Sequence, residues 1–150
     1  MLGNYYWVSC LTWNVSYGIK WKMLNRALLI IRDFECDPMD ISRLLKVEAT
    51  KSWRVGDRRG STRLEWSDNG WMLEPPYVNP DRFDLSAEIA RIFVHLNHSE
   101  GLGRVIPASR RILYVVLRDW AIIKNSSIST EVLRQVVHHD VSIEFDVDCE

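Results

Sequence analysis

The sequence has little of what would assign a chemistry at once. Its three cysteines, Cys10, Cys36 and Cys149, are an odd number at wide spacing. That excludes a disulfide framework or a Cys-x-x-Cys metal site and suits free thiols in a reducing, cytoplasmic setting. No window holds about eighteen uninterrupted apolar residues, so no membrane-spanning helix is expected. No basic residue precedes Lys20, so the charged start of a secretory signal is missing. Val8-Ser9-Cys10 has the letters of a lipoprotein cleavage site but no apolar run ahead of it. The formal net charge is −1, so no global field draws the chain to nucleic acid or a membrane. Internal repeats and low-complexity tracts are also missing. Nucleophilic catalysis finds no Gly-x-Ser-x-Gly elbow and no Cys beside a basic partner. Gly101-x-Gly103 is too short for a phosphate loop.

What is present describes an ordinary globular chain with an unusual tryptophan content. The 150 residues are 47% hydrophobic, enough for one domain with its own core. Seven Trp supply large apolar payloads when buried and contact surfaces when exposed. Residues 1–24 stand apart as an N-terminal extension: they hold Trp7, Trp13 and Trp21 and no acid. They read either as two short strands around Trp13-Asn14-Val15 or as a poorly ordered extension ahead of a start at Met23.

Residues 25–150 read as a single α+β domain. Ala27-Leu28-Leu29-Ile30-Ile31 is a continuous apolar run, as expected of a strand buried on both faces. Asp37-Pro38-Met39-Asp40 is a helix start, with an Asx cap, Pro at the first helical position and an acid near the positive dipole end. Ile41, Leu44 and Leu45 supply that helix's apolar stripe. Ser67-Asp68-Asn69-Gly70 lies between Thr62–Trp66 and Gly70–Glu74 and predicts a tight hairpin. Asp84 or Ser86 caps a long helix over 84–97, with Leu85, Ile89, Ile92, Phe93 and Leu96 on one face. Ile112–Leu117 is a second buried strand, and Ser129 caps a helix carrying Val132, Leu133, Val136 and Val137. Val141–Val147 alternates apolar and acidic residues with period two. Helices between strands, with antiparallel pairing, predict a two-layer α+β sandwich: a mostly antiparallel sheet with helices packed on one face.

The succession of an apolar strand, Asp37-Pro38 before Ile41 and Leu44-Leu45, Ser52-Trp53-Arg54 with Gly56-Asp57, and Gly70-Trp71 resembles the bacterial family known as domain of unknown function 4279. Ile128-Ser129-Thr130-Glu131-Val132-Leu133 before the acidic alternating strand is similar too. The resemblance spans roughly Asn25 to the C-terminus. One departure is Ala49-Thr50, where the family often has Pro before the Thr. The resemblance implies a small cytoplasmic α+β domain without a settled activity.

Two segments are candidate contact surfaces. Between Arg43 and Arg63, seven basic residues face two acids, with Trp53 inside the run. Trp53, Arg54, Arg58 and Arg59 present a pattern that suits phosphate or single-stranded nucleic acid. The structural alternative makes Trp53 a core residue, gives Gly56 an unusual φ and has Asp57 bonding turn amides. The second segment carries five acids from Asp140 onward with no Lys or Arg. Glu144, Asp146 and Asp148 share its outer face and suit a basic protein, or else neutralise the basic segment across the sheet. His95 with His98 and His138-His139 lie far from any Cys, so no metal or other cofactor is expected.

The resemblance implies a bacterial protein of a kind often found beside toxins as immunity proteins, and with these surfaces the expectation is a non-enzymatic protein-binding domain of immunity or regulatory type, with a toxin or regulatory target as partner. A nucleic-acid or nucleotide-phosphate binder using the Trp53 loop is the alternative, and an unrecognised enzyme is the third reading.

Overall fold

The computed structural model describes residues 25–76, 83–96 and 100–147. The strands expected in residues 1–24, and Cys10, His98, Asp148 and Cys149, lie outside these. Five strands form one sheet: β1 (Arg26–Arg32), β2 (Lys51–Trp53), β3 (Gly70–Leu73), β4 (Arg110–Leu117) and β5 (Ser142–Val147). Their spatial order is β2-β3-β1-β4-β5. Neighbours run antiparallel except β4 and β5, which are parallel. The α+β prediction therefore stands, with one parallel pair at an edge.

β1 is central because its whole interior, Ala27 to Ile31, is apolar and buried. Only a strand covered on both faces tolerates such a run. On one face Ala27, Leu29 and Ile31 join Trp71, Leu73, Leu113, Val115 and the helices in the main core. On the other, Leu28, Ile30 and Ile112 form a second, smaller cluster with Trp53 and Trp66. Among the described residues, no helix contributes to that second cluster.

The helices are α1 (Pro38–Leu45), α2 (Leu85–Leu96), α3 (Leu102–Val105), α4 (Trp120–Asn125) and α5 (Thr130–His138). Asp37 caps α1 as predicted, accepting the Met39 N–H at 2.8 Å, and Lys46 closes it in the left-handed region. Its buried stripe is Ile41, Ser42 and Leu45, whereas Leu44 is 45% exposed. Ser42 replaces Leu44 in the core because its hydroxyl accepts a buried hydrogen bond from Trp71 Nε1 at 2.9 Å.

The apolar face of α2 is buried as its spacing requires. Asp84 is the residue that caps it, accepting the Ala87 N–H at 3.0 Å. Ser86 instead ties α2 to the segment before α5, donating to the Ser127 carbonyl and accepting from the Ser129 N–H. Ser129 caps α5 as expected, through the Val132 N–H. Neither α3 nor α4 was anticipated. Both are too short to show a full apolar period.

The hairpin expectation needs correction. Thr62–Trp66 is not the partner of β3; Lys51–Trp53 is, with Trp53 opposite Gly70. Asn69 does not shape a two-residue turn. Its Oδ1 accepts the Val55 N–H, and its Nδ2 donates to the Phe34 and Cys36 carbonyls. An Asn engaged at both ends of its amide is a brace between loops, so the turn signal of Asn-Gly was outbid by tertiary bonds.

The buried Ser42–Trp71 bond yields a test. Ser42→Ala strands the indole N–H away from water and should cost about 1–3 kcal/mol. Urea denaturation measures that loss.

Candidate interaction surfaces

β2 ends at Trp53, and its indole lies directly over Gly70. A Cβ at Gly70 would come within 1.9 Å of Trp53 Cε2 and Cζ2, so glycine is a packing requirement there. Trp53 stacks on Trp66 with ring centres 4.4 Å apart, and the two are only 3% and 5% exposed. The Arg59 guanidinium sits 4.5 Å from the Trp66 ring centre, and Lys51 Nζ lies 6.0 Å away. The arginine is within cation–π range and the lysine at its limit.

Residues 54–69 thus fold over the face of the sheet on which no described helix packs. Gly56 N–H donates to the Trp66 carbonyl and Trp66 N–H to the Asp57 carbonyl, each at 2.9 Å. The backbones of Arg58 and Glu65 form an isolated antiparallel β-bridge, and Arg59 N–H donates to the Leu64 carbonyl. Gly56 has φ +84° and Gly60 φ +60°, both in the region that favours glycine. Asp57 accepts the Arg54 N–H at 2.7 Å, the turn bond its position suggested. Arg32 grips Asp68 through two bonds of 2.6 and 2.9 Å, anchoring the far end of the loop.

Among the basic candidates, Arg54 is committed to Asp37 at 2.8 and 3.1 Å. Hydrogen bonds from Met39 and then Arg54 hold the Asp37 carboxyl below its ordinary range. Arg59 is half-buried on Trp66. Arg58 and Arg63 are exposed and make no ion pair with the described residues. With both aromatics inside, the loop offers cations but no ring on which a base could stack.

The acidic strand lies at the opposite edge, so it does not neutralise the basic segment. β5 runs parallel to β4 with Tyr114 beside Glu144 and Val116 beside Asp146. That register puts both acids on the face of Arg110, Tyr114 and Arg118. Glu144 accepts from Arg110 at 2.7 Å. Asp146 accepts from Arg118 at 3.1 and 2.8 Å and from the Tyr114 hydroxyl at 3.0 Å. The Arg118 bonds hold the Asp146 carboxyl below its ordinary range against the opposing effect of burial. Burial, then the bond to Asp146 and its charge, pushes the Tyr114 hydroxyl up to about 12. Arg111 pairs with Asp140 at 2.6 Å. Of the acids on this strand, Glu144 is partnered by Arg110 of β4, and Asp146 by Tyr114 of β4 and by Arg118 just past it.

The other face of β5 is the apolar one its alternation predicts, and it is only partly buried. Ile143 packs against the core, but Phe145 and Val147 are each 48% exposed. On α5, Val132 and Val136 are buried, whereas Leu133 and Val137 are 44% and 78% exposed. At the helical period these two lie roughly 100–140° round from Val132. His139 just past the helix stacks on Phe93 of α2, ring centres 5.1 Å apart. The exposed pair therefore lies off the face of α5 that buries Val132 and Val136. Among the described residues no strand pairs with the outer side of β5. Phe145 and Val147 are thus half-exposed on a strand edge that is unpaired among the described residues. The doubled apolar pattern of α5, Val132-Leu133 and Val136-Val137, is the sequence signal for its exposed pair. It is wider than one buried stripe requires.

Elsewhere, a shallow apolar cavity of about 240 Å³ is lined by Phe34, Cys36, Ile41, Leu44 and Ile106 among others. Cys36 is a free, exposed thiol. His139 Nδ1 accepts the Leu102 N–H, and His95 faces solvent. Among the described residues no three His, Cys, Asp or Glu side chains gather as a metal site. No helix there is long and apolar enough to cross a membrane.

With this geometry in place, the comparisons are informative about kinship alone. Residues 21–150 match the family described as Domain of unknown function (DUF4279), and the chain belongs to it. No curated protein and no solved structure matches the chain.

Two tests follow from these surfaces. Gly70→Ala drives a methyl into the Trp53 ring and should cost about 1–3 kcal/mol, with red-shifted tryptophan fluorescence as the indoles separate. The Tyr114–Asp146 pair predicts pH effects of opposite sign. Tyr114 binds its proton more tightly when folded, so its stabilisation holds below the ordinary value of 10.0 and is lost as pH rises towards about 12. Asp146 has a lowered folded value, so its contribution holds above the ordinary 3.8 and is lost as pH falls through and below it. Alkaline titration at the phenolate absorbance should lose a component near 12 in Tyr114→Phe. Acid unfolding should be less pH-dependent in Asp146→Asn.

Proposed function

We propose that this domain is a non-enzymatic protein-binding module, of immunity or regulatory type, that takes its partner on the β5 edge. One observation carries the reading: an edge strand unpaired on its outer side among the described residues, with Phe145 and Val147 half-exposed, in a domain whose α5 also exposes Leu133 and Val137. Unpaired strand backbone beside apolar side chains is the surface used when a partner segment adds to a sheet. Exposed apolar clusters on small domains mark contact sites, whereas scattered single residues do not. The acids of β5, already held by arginines, play a different part here from a free acidic surface. They keep the edge soluble while its other face binds.

A second reading, a phosphate or nucleic-acid binder, is favoured by Arg58 and Arg63, exposed and without a carboxylate partner among the described residues. Buried Trp53 and Trp66 weigh against it.

Affinity capture with wild type, Val137→Asp and Arg58→Ala/Arg63→Ala separates the two. Val137 is exposed, so its substitution should shift stability by no more than about 0.5 kcal/mol. A stoichiometric protein retained by the arginine variant and lost by Val137→Asp is the expected outcome. Nucleic acid that washes off with salt and ignores Val137→Asp overturns the reading.

A further inference from the structure

Asn69 and Gly70 are each fixed by tertiary contacts, and together they make a chemically labile pair. Asn69 is the only asparagine in the sequence followed by glycine. A Cβ at Gly70 would lie 1.9 Å from two Trp53 ring carbons, so packing demands the glycine. The carboxamide before it is demanded by hydrogen bonding. Its Oδ1 accepts the Val55 N–H at 3.0 Å, and its Nδ2 donates to the Phe34 and Cys36 carbonyls at 3.0 and 3.1 Å. A short side chain that accepts at one atom and donates twice from another is asparagine's alone.

Glycine after asparagine offers the least hindered backbone nitrogen for attack on the side-chain carbon. The Gly70 nitrogen gives its proton to water or hydroxide and bonds to Asn69 Cγ. The Cγ–Nδ2 bond breaks, and Nδ2 takes a proton from water and leaves as ammonia. Water then opens the resulting succinimide at either carbonyl. One opening gives aspartate. The other gives isoaspartate, whose main chain runs through the former side chain.

The native fold opposes that ring closure. Gly70 is paired on both sides, to Arg32 of β1 and to Trp53 of β2. The Asn69 amide is tied at the same time to Val55 and to the segment before α1. Closure must therefore wait until the 54–69 loop lifts. After hydrolysis no donor is left for the Phe34 and Cys36 carbonyls, and a carboxylate oxygen faces them instead. Isoaspartate also displaces the chain where it enters β3.

We propose that Asn69 is a fold-gated modification site, a latch that opens in one direction through hydrolysis of its own amide. While the amide is intact, the loop recloses after each opening. Once it is lost, the loop over Trp53 and Trp66 stays loosened. The site stands apart from the β5 edge and needs no partner.

Peptide mapping by mass spectrometry, with isoaspartyl methyltransferase labelling, follows residue 69 in the intact protein at neutral and mildly alkaline pH. A synthetic peptide of residues 66–73 is the reference. Conversion in the folded protein should lag the peptide by roughly tenfold or more, and unfolding in urea should erase the lag. Arg32→Ala removes the anchor at Asp68 without altering the sequence around Asn69, and should shorten the lag. Purified isoaspartyl protein, and Asn69→Asp, should exchange amides faster across residues 54–69 while β1 and β4 keep their protection. Conversion at the peptide's rate, no conversion even in urea, or a hydrolysed protein whose loop is as protected as the parent's overturns the assignment.

Discussion

The Trp53 indole occupies the space that a side chain at position 70 would need, and much of the molecule depends on that contact. A sheet with a strand as apolar as β1 at its centre must be covered on both faces. The helices cover one. The other is sealed in part by two tryptophans, Trp53 from the edge of the sheet and Trp66 from the loop folded back over it. Asn69 and the Arg32–Asp68 pair then pin that loop to the start of α1 and to β1. The basic, aromatic segment is thereby architecture first, and its arginines are what remains outside.

The two edges of the sheet have been treated in opposite ways. At β2, only three residues pair, and the adjoining loop is held by ion pairs and cation–π contact. At β5, six residues pair with β4, and the outer side is unpaired among the described residues. The parallel pairing there follows from the crossover through α4 and α5, which returns the chain in the same direction as β4. It also sets the register that delivers Glu144 and Asp146 to the β4 arginines. Charged side chains on an edge strand are one of the ways natural sheets discourage unwanted edge pairing.

Family membership constrains the fold and not the activity, so the functional argument rests on this asymmetry between edges. A cover loop with buried aromatics stabilises a face. The β5 edge, by contrast, is unpaired among the described residues and leaves Phe145 and Val147 half-exposed.

Local physics made much of this legible in the sequence. Caps at Asp37, Asp84 and Ser129, the face of α2, the buried run of β1 and the period-two β5 all follow from short-range rules of capping and alternation, which operate within a turn or a strand. The sequence likewise offered Trp53, Gly56 and Asp57 as a possible structural unit. Tertiary structure alone decided which segment pairs with β3, because Asn69 answered to carbonyls more than thirty residues away instead of to its own turn. It decided that Ser42 and not Leu44 faces the core, since the Trp71 N–H needed an acceptor. And it decided which arginines meet the acids and which apolar residues of α5 and β5 stay in water. Those outcomes depend on strand order and on where the helix layer stops, and neither is written in any one stretch of the chain.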